Sequence, residues 1–286
     1  IRLQIILKDS DQESTTSKFS YSQYESVTGA KKPIEIETIF DPLDDQHPAA
    51  SKILILGGAG IGKTTLMHYM AYRWSAKQSA TIQQLTTPST AQATPTKPQA
   101  QKPQLWADKF DYVFRVRLKD LLSDNWKSDY DTKTELRPNI LACFIHSCLP
   151  GKIKQIIRVE EVITAMANKD KILLAIDGYD EIAFKVDSSE SSSAKDVFNY
   201  IFTYPNIIMT SRPNALDQDK KAQLGFDREI ENIGLDLEGI NQYVDHNFQY
   251  GSKSEAEVKK SQEELKSFLI SNSNIRSLCA VPINLA

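Results

Sequence analysis

The chain has 286 residues, a formal net charge of -3 and 41% hydrophobic residues. At roughly 150 residues per domain the length allows about two domains. A charge balance this near zero gives no field for gripping nucleic acid or an anionic membrane surface. No stretch approaches the ~18 consecutive apolar residues of a membrane span. Three cysteines are too few for a disulfide framework, so buried thiols in a reducing, cytoplasmic compartment are expected. His146 lies between Cys143 and Cys148, but no second pair of ligands stands near enough to suggest zinc. The chain starts at Ile1 with neither a cationic segment nor a long apolar run, and reads as a piece of something longer.

In chain order, five short apolar runs predict strands: Lys52 to Gly58, Tyr112 to Leu118, Lys171 to Asp177, Asn206 to Arg212 and Arg228 to Leu235. The first, third and fourth are continuously hydrophobic, as parallel strands covered on both faces require. In Tyr112 to Leu118, apolar Phe114, Val116 and Leu118 alternate with Arg115 and Arg117, which suits a strand nearer the sheet edge. Helical stretches such as TTLMHYMAYRW, RPNILACFIHSCL and VEEVITAMANK lie between them. Strand alternating with helix indicates an α/β domain.

Residues 79–104 are rich in Pro, Thr and Gln with few large apolar side chains, which predicts a disordered insertion. Asp187 to Lys195 predicts a second flexible loop. Beyond Leu235 the chain turns helical. Ile240, Tyr243, Val244 and Phe248 form one stripe at i, i+3, i+4 and i+8, with Asp236 as N-cap. Leu265, Phe268 and Leu269 form a second stripe. The expected organisation is a linker and pre-core segment over 1–44, an α/β domain over 45–225 and a small helical domain over 226–286.

The strongest chemical signal is Gly57-Gly58-Ala59-Gly60-Ile61-Gly62-Lys63-Thr64, which matches G-x-x-x-x-G-K-[ST]. Glycines let backbone N–H groups converge on phosphate oxygens where a Cβ would collide. The helix that follows aims its positive end at the same phosphates. Gly58, Ala59, Gly60, Ile61, Gly62, Lys63, Thr64 and Thr65 are therefore expected to hold a nucleotide. Lys63 would reach the β- and γ-phosphates, and the Thr64 hydroxyl would ligate Mg²⁺.

A second signal is Ile172 to Glu181, an apolar strand ending in Asp177. A carboxylate at the tip of such a strand is costly unless a cation awaits it, and Asp177 is expected to face Mg²⁺. Asp180 and Glu181 follow on the turn, where one of them would orient a water toward the γ-phosphate. Tyr179 reads as packing. A third signal is Thr210-Ser211-Arg212-Pro213. Ser211 and Arg212 sit at the carboxyl end of a strand, the edge where ligands bind in open α/β sheets. There Arg212 either contacts the γ-phosphate or bridges to Asp180 or Glu181.

In this order, GGAGIGKTT, LLAIDGYDE and IIMTSRP resemble the nucleotide-binding core of NACHT-family NTPases, within the STAND class of signal-transducing ATPases. The DG-x-DE form is the most particular of these features. IEIETIFDPL resembles the segment that precedes the phosphate loop, FDYVFRVRLKDL the second strand and LDLEGINQYVDHNF the first helix after the core. LCAVPINLA resembles a short helix ending in a proline near the adenine, here Pro282. Lys63 and Asp177 are further apart than is usual in the family, an excess that the 79–104 insertion accounts for.

The resemblance implies a doubly wound, five-stranded parallel sheet followed by helices, stopping short of a winged-helix domain. It further implies ATP and ADP as ligands with Mg²⁺, slow hydrolysis by a site including Lys63, Asp180, Glu181 and Arg212, and nucleotide-gated self-association of a larger signalling protein. A non-hydrolysing interaction module with structural nucleotide is the alternative. A small-molecule kinase is less favoured, because no acceptor-binding lid is evident.

Overall fold

The apolar runs become strands because their branched and aliphatic side chains cover both faces of one sheet. The computed structural model of the chain describes residues 3–7, 34–86, 106–123, 126, 137–188, 193–247 and 254–282. Its strands are β1 (Leu3–Leu7), β2 (Lys52–Leu56), β3 (Tyr112–Arg117), β4 (Ile172–Asp177), β5 (Ile207–Ser211) and β6 (Arg228–Leu235). They are ordered β1-β6-β2-β5-β4-β3 across the sheet. All neighbours run parallel except β1, which is antiparallel to β6.

The expected five-stranded sheet is thus six-stranded. Leu3–Leu7 lies within the stretch expected to be linker, and becomes a strand only because the edge of β6 accepts it. The alternating run Tyr112–Arg117 forms the opposite edge, as its pattern predicted. Because Arg228–Leu235 belongs to the sheet, the helical part begins at Leu237 rather than at 226.

Ten helices are described: α1 (Lys63–Thr86), α2 (Arg137–Ser147), α3 (Gly151–Lys154), α4 (Val159–Ala165), α5 (Ala183–Asp187), α6 (Ser193–Ile201), α7 (Gln218–Leu224), α8 (Leu237–Asn247), α9 (Glu255–Ser271) and α10 (Ser273–Cys279). Helix α1 runs through the first residues of the expected insertion. SATIQQLT contains no Gly or Pro and can extend a helix. Residues 87–104 lie outside the described residues. Of the expected loop at 187–195, Asp187 closes α5 and Ser193 opens α6, while 189–192 lie outside. No helix among the described residues is long and apolar enough to cross a membrane.

Alternate residues of each central strand feed two cores. Leu54, Leu56, Leu174, Ile176 and Met209 pack with Leu141, Phe144, Val162, Val197 and Phe198 of α2, α4 and α6. Ile53, Ile55, Leu173, Ala175 and Ile208 pack with Leu66, Met67 and Met70 of α1 and with Ile39, Phe40 and Trp106. Each Leu, Ile, Val, Phe or Met among them contributes about 1.5–3 kcal/mol on burial. Arg228, 4% exposed, donates to the carbonyls of Ile39, Asp41 and Pro48 at 2.6–3.0 Å, which pins residues 34–50 against the sheet.

The helical part has a small core of Leu235, Ile240, Leu269 and Cys279, with Tyr243 and Leu265 against it. Asp236 accepts from Gly239 N at 2.7 Å, as an N-cap should. Phe248 lies outside the described residues. Phe268 leaves its expected stripe and is 48% exposed, while Leu265 and Leu269 join the small core.

Candidate functional site

The site is built where β2, β5 and β4 end side by side. Leu56, the last residue of β2, pairs with Ser211, the last of β5, and Gly57 N donates to Ser211 O at 3.1 Å. The chain then loops through Gly57 to Gly62 into α1. Gly60 and Gly62 have φ of 71° and 98°, a region that glycine enters without steric penalty. A Cβ on Gly57 would lie 2.8 Å from Ile61 Cγ2 and 3.1 Å from Asn232 O, whereas one on Gly58 would meet nothing within 4 Å. The loop is therefore pressed onto β6 at Gly57 and open at Gly58. Gly58, Ala59, Gly60, Thr64 and Thr65 are exposed, and the first turn of α1 offers unpaired N–H groups to an anion.

Lys63 Nζ donates to Gly57 O and Gly58 O, both at 2.8 Å. Its amine is held below the usual lysine range by burial first, with Arg212 acting the same way and Asp180, Asp177 and Glu181 opposing. The expected cations and acids thus converge within one electrostatic neighbourhood.

Asp177 is 8% exposed. Its Oδ1 accepts from Thr210 Oγ1 at 2.8 Å, and Thr210 Oγ1 in turn accepts from Gly178 N at 3.0 Å. Fully buried Thr210 thus ties the Asp177 carboxylate to the turn that follows it. Its signal in the sequence was a hydroxyl inside an otherwise apolar strand. Gly178, with φ of 83°, turns the chain so that Glu181 N reaches its carbonyl at 3.1 Å. Arg212 Nε pairs with Asp180 Oδ2 at 2.9 Å, which is the bridging alternative for this arginine. Tyr179 is fully buried, and its hydroxyl donates to the Asp187 carboxylate at 2.9–3.0 Å, so it packs as expected.

Two expected residues sit differently. Ser211 is fully buried and its hydroxyl donates to Arg212 O at 3.1 Å, so its side chain serves the turn after β5. The Ile61 side chain is buried too, at 7% exposure, which leaves only its backbone on the loop. Pro282 is half-buried, two residues beyond Ala280, whose carbonyl accepts from Leu235 N at 2.8 Å. A Cβ on Gly234 would lie 2.1 Å from Ala280 O and 3.0 Å from Ile61 Cδ1, so the end of α10 docks beside the phosphate loop.

Sequence reasoning also passed over Asn232. It is 1% exposed; its side chain accepts from Gly234 N at 3.0 Å and donates to Ile61 O at 3.4 Å. Among the described residues no three His, Cys, Asp or Glu side chains cluster to hold a metal. The oxygen donors Thr64 and Asp177 suit Mg²⁺, which binds through few protein oxygens and keeps ligand positions for phosphate and water.

A strand, a glycine loop and a helix, with an acid ending the strand two places across, define a P-loop NTPase fold of the α/β class. Residues 51–250 match the family model described as NACHT domain, and the chain belongs to the NACHT-domain family. It is 24% identical over 254 residues to mouse (Mus musculus) NACHT, LRR and PYD domains-containing protein 10, covering 87% of this chain and 29% of that protein. It is 21% identical over 297 residues to human (Homo sapiens) NACHT, LRR and PYD domains-containing protein 3, covering 99% of this chain and 24% of that one. The chain therefore spans less than a third of the length of either relative.

Proposed function

We propose that the chain is the nucleotide-operated switch of a larger signalling protein. It binds ATP or ADP with Mg²⁺, hydrolyses ATP slowly and thereby gates self-association in the cytoplasm. The observation that carries this reading is the convergence of Lys63, Asp177, Asp180, Glu181 and Arg212 at one end of the sheet, beside a glycine loop open at Gly58.

Backbone N–H groups of Gly58 to Thr65 would cradle the phosphates, and Lys63 would exchange its loop carbonyls for phosphate oxygens. Thr64 and Asp177 would hold Mg²⁺, which neutralises phosphate charge when bound. Asp180 or Glu181 would accept the proton of the attacking water. Arg212 would move from Asp180 to the γ-phosphate. That exchange supplies the differential affinity without which no nucleotide can shift a conformational equilibrium. Pro282, two residues beyond the Ala280 carbonyl that docks at Gly234, would pack against the purine.

The test is thermal melting with ADP, ATP and GTP, with and without Mg²⁺, followed by steady-state phosphate release. Nucleotide at about 100 times its Kd adds roughly 2.7 kcal/mol. Lys63→Ala should abolish that response. Asp180→Asn combined with Glu181→Gln should keep it and lose turnover. Undiminished turnover in the double variant would remove the assigned roles, and binding without turnover in the parent chain would favour the structural-nucleotide module.

A further inference from the structure

The carboxyl end of β3 carries cations that the phosphate loop and Asp177 do not use. Arg115 and Arg117 pair in register with Ala175 and Asp177 of β4. They follow Val113 at two-residue spacing and so share its face, where Val113 packs against the cluster containing Met67 and Met70 of α1. His68 lies on the same helix, one turn beyond Thr64. Its imidazole is held below the ordinary range by burial first, then by Arg115 and Arg117 with Asp177 opposing, so it stands in the field of both guanidinium groups.

Arg117 has an acceptor: its Nε and Nη2 both reach Asp120 Oδ2 at 2.9 Å. Nη1 of Arg115 is buried without a hydrogen-bond partner among the described residues. Burying a guanidinium N–H with no acceptor, near a second guanidinium, is destabilising unless an anion completes the arrangement. Oδ1 of Asp177 is taken by Thr210, and Asp120 is taken by Arg117.

We propose that Arg115, with Arg117 and His68 around it, forms a phosphate site on the β3 side of Asp177, and that this site receives the inorganic phosphate cleaved from the nucleotide. Strand β4 lies between β5 and β3, so Arg212 and this cluster flank Asp177 from opposite sides. A planar guanidinium fork matches a phosphate oxyanion, and Arg117 pairs in register with Asp177 at the end of the sheet that carries the phosphate loop. In hydrolysis the water oxygen bonds to the γ-phosphorus and the bond to the β–γ bridging oxygen breaks. The bridging oxygen stays with ADP, and the water proton passes through Asp180 or Glu181 to solvent. The freed phosphate would then supply the acceptor that Arg115 Nη1 lacks. The source of the phosphate rests on the nucleotide-binding reading; the existence of the site does not.

The experiment titrates inorganic phosphate into protein saturated with ADP and Mg²⁺, so that the loop is filled. Ionic strength is held constant with chloride, and melting temperature is followed. Phosphate is expected to raise the melting temperature of the parent chain. Arg115→Gln should weaken the phosphate midpoint about tenfold or more with the ADP response unchanged, and Arg115→Lys should give an intermediate loss. Equal phosphate responses in parent and Arg115→Gln would overturn the site, since water or an adventitious ion then serves Nη1. If Arg115→Gln does not fold, Arg117→Gln replaces it and the same comparison decides. A parent chain that ignores ADP would overturn the nucleotide reading instead. Phosphate titrated into Lys63→Ala then decides the site alone: a response abolished by adding Arg115→Gln supports it, and no response overturns it.

Discussion

Arg212 Nε donates to Asp180 Oδ2 at 2.9 Å, which ties the residue after β5 to the turn after β4. The Arg212 side chain is 60% exposed and that of Asp180 only 14%, so the arginine is the partner free to leave. Arg212→Ala is expected to keep ADP affinity and to lower the preference for ATP over ADP about tenfold. Competition titrations with a fluorescent nucleotide measure this. An unchanged preference would assign Arg212 to the bridge alone.

Thr210 stands between a buried carboxylate and a buried amide, donating to Asp177 and accepting from Gly178. Thr210→Val keeps the shape and removes both bonds, so a loss of about 1–3 kcal/mol in urea denaturation is expected. The Mg²⁺ concentration needed for nucleotide binding should rise as well. Thr210→Ser should restore both, and a Thr210→Val protein of parental stability would show that the hydroxyl holds nothing.

Gly234 has φ of 96°, and a Cβ there would sit 2.1 Å from Ala280 O. Gly234→Ala must push the end of α10 off β6, costing about 1–3 kcal/mol in backbone strain. Faster amide exchange at Leu235 and along α10 is the direct readout. Gly58→Ala, with open space around the added methyl, should leave exchange there unchanged while weakening nucleotide binding.

Burial first, and then Asp120, push the Cys148 thiol up to about 11. At pH 8 only about one thiol in a thousand is ionised, so alkylation should run roughly 100-fold slower than at an unshifted cysteine. The rate should rise about tenfold per pH unit until near pH 11, as followed by peptide mass spectrometry. Because the folded value lies above the ordinary value of 9.0, the associated stability is fully present below pH 9. It is lost as pH rises through about 11.

Much of this was legible in the sequence because local rules govern it. Apolar runs such as KILIL and ILLAID specify central strands wherever both faces are covered, and the glycine loop needs only its own backbone freedom and the helix that follows. Asp177 at a strand tip and Asp236 before a helix carry their meaning in their immediate neighbours.

What the sequence could not settle depends on residues brought together from far apart. LQIIL is a strand only because β6 offers it an edge. The partners of Thr210, Arg115 and Asn232 lie on other elements, so a hydroxyl in an apolar run, an arginine in an edge strand and an amide beneath a loop carry no local sign of their roles. Local chemistry determined that a phosphate loop and an acid-tipped strand exist; the packing of the sheet decided which side chains surround them, because hydrogen bonds and ion pairs depend on distance in space and not along the chain.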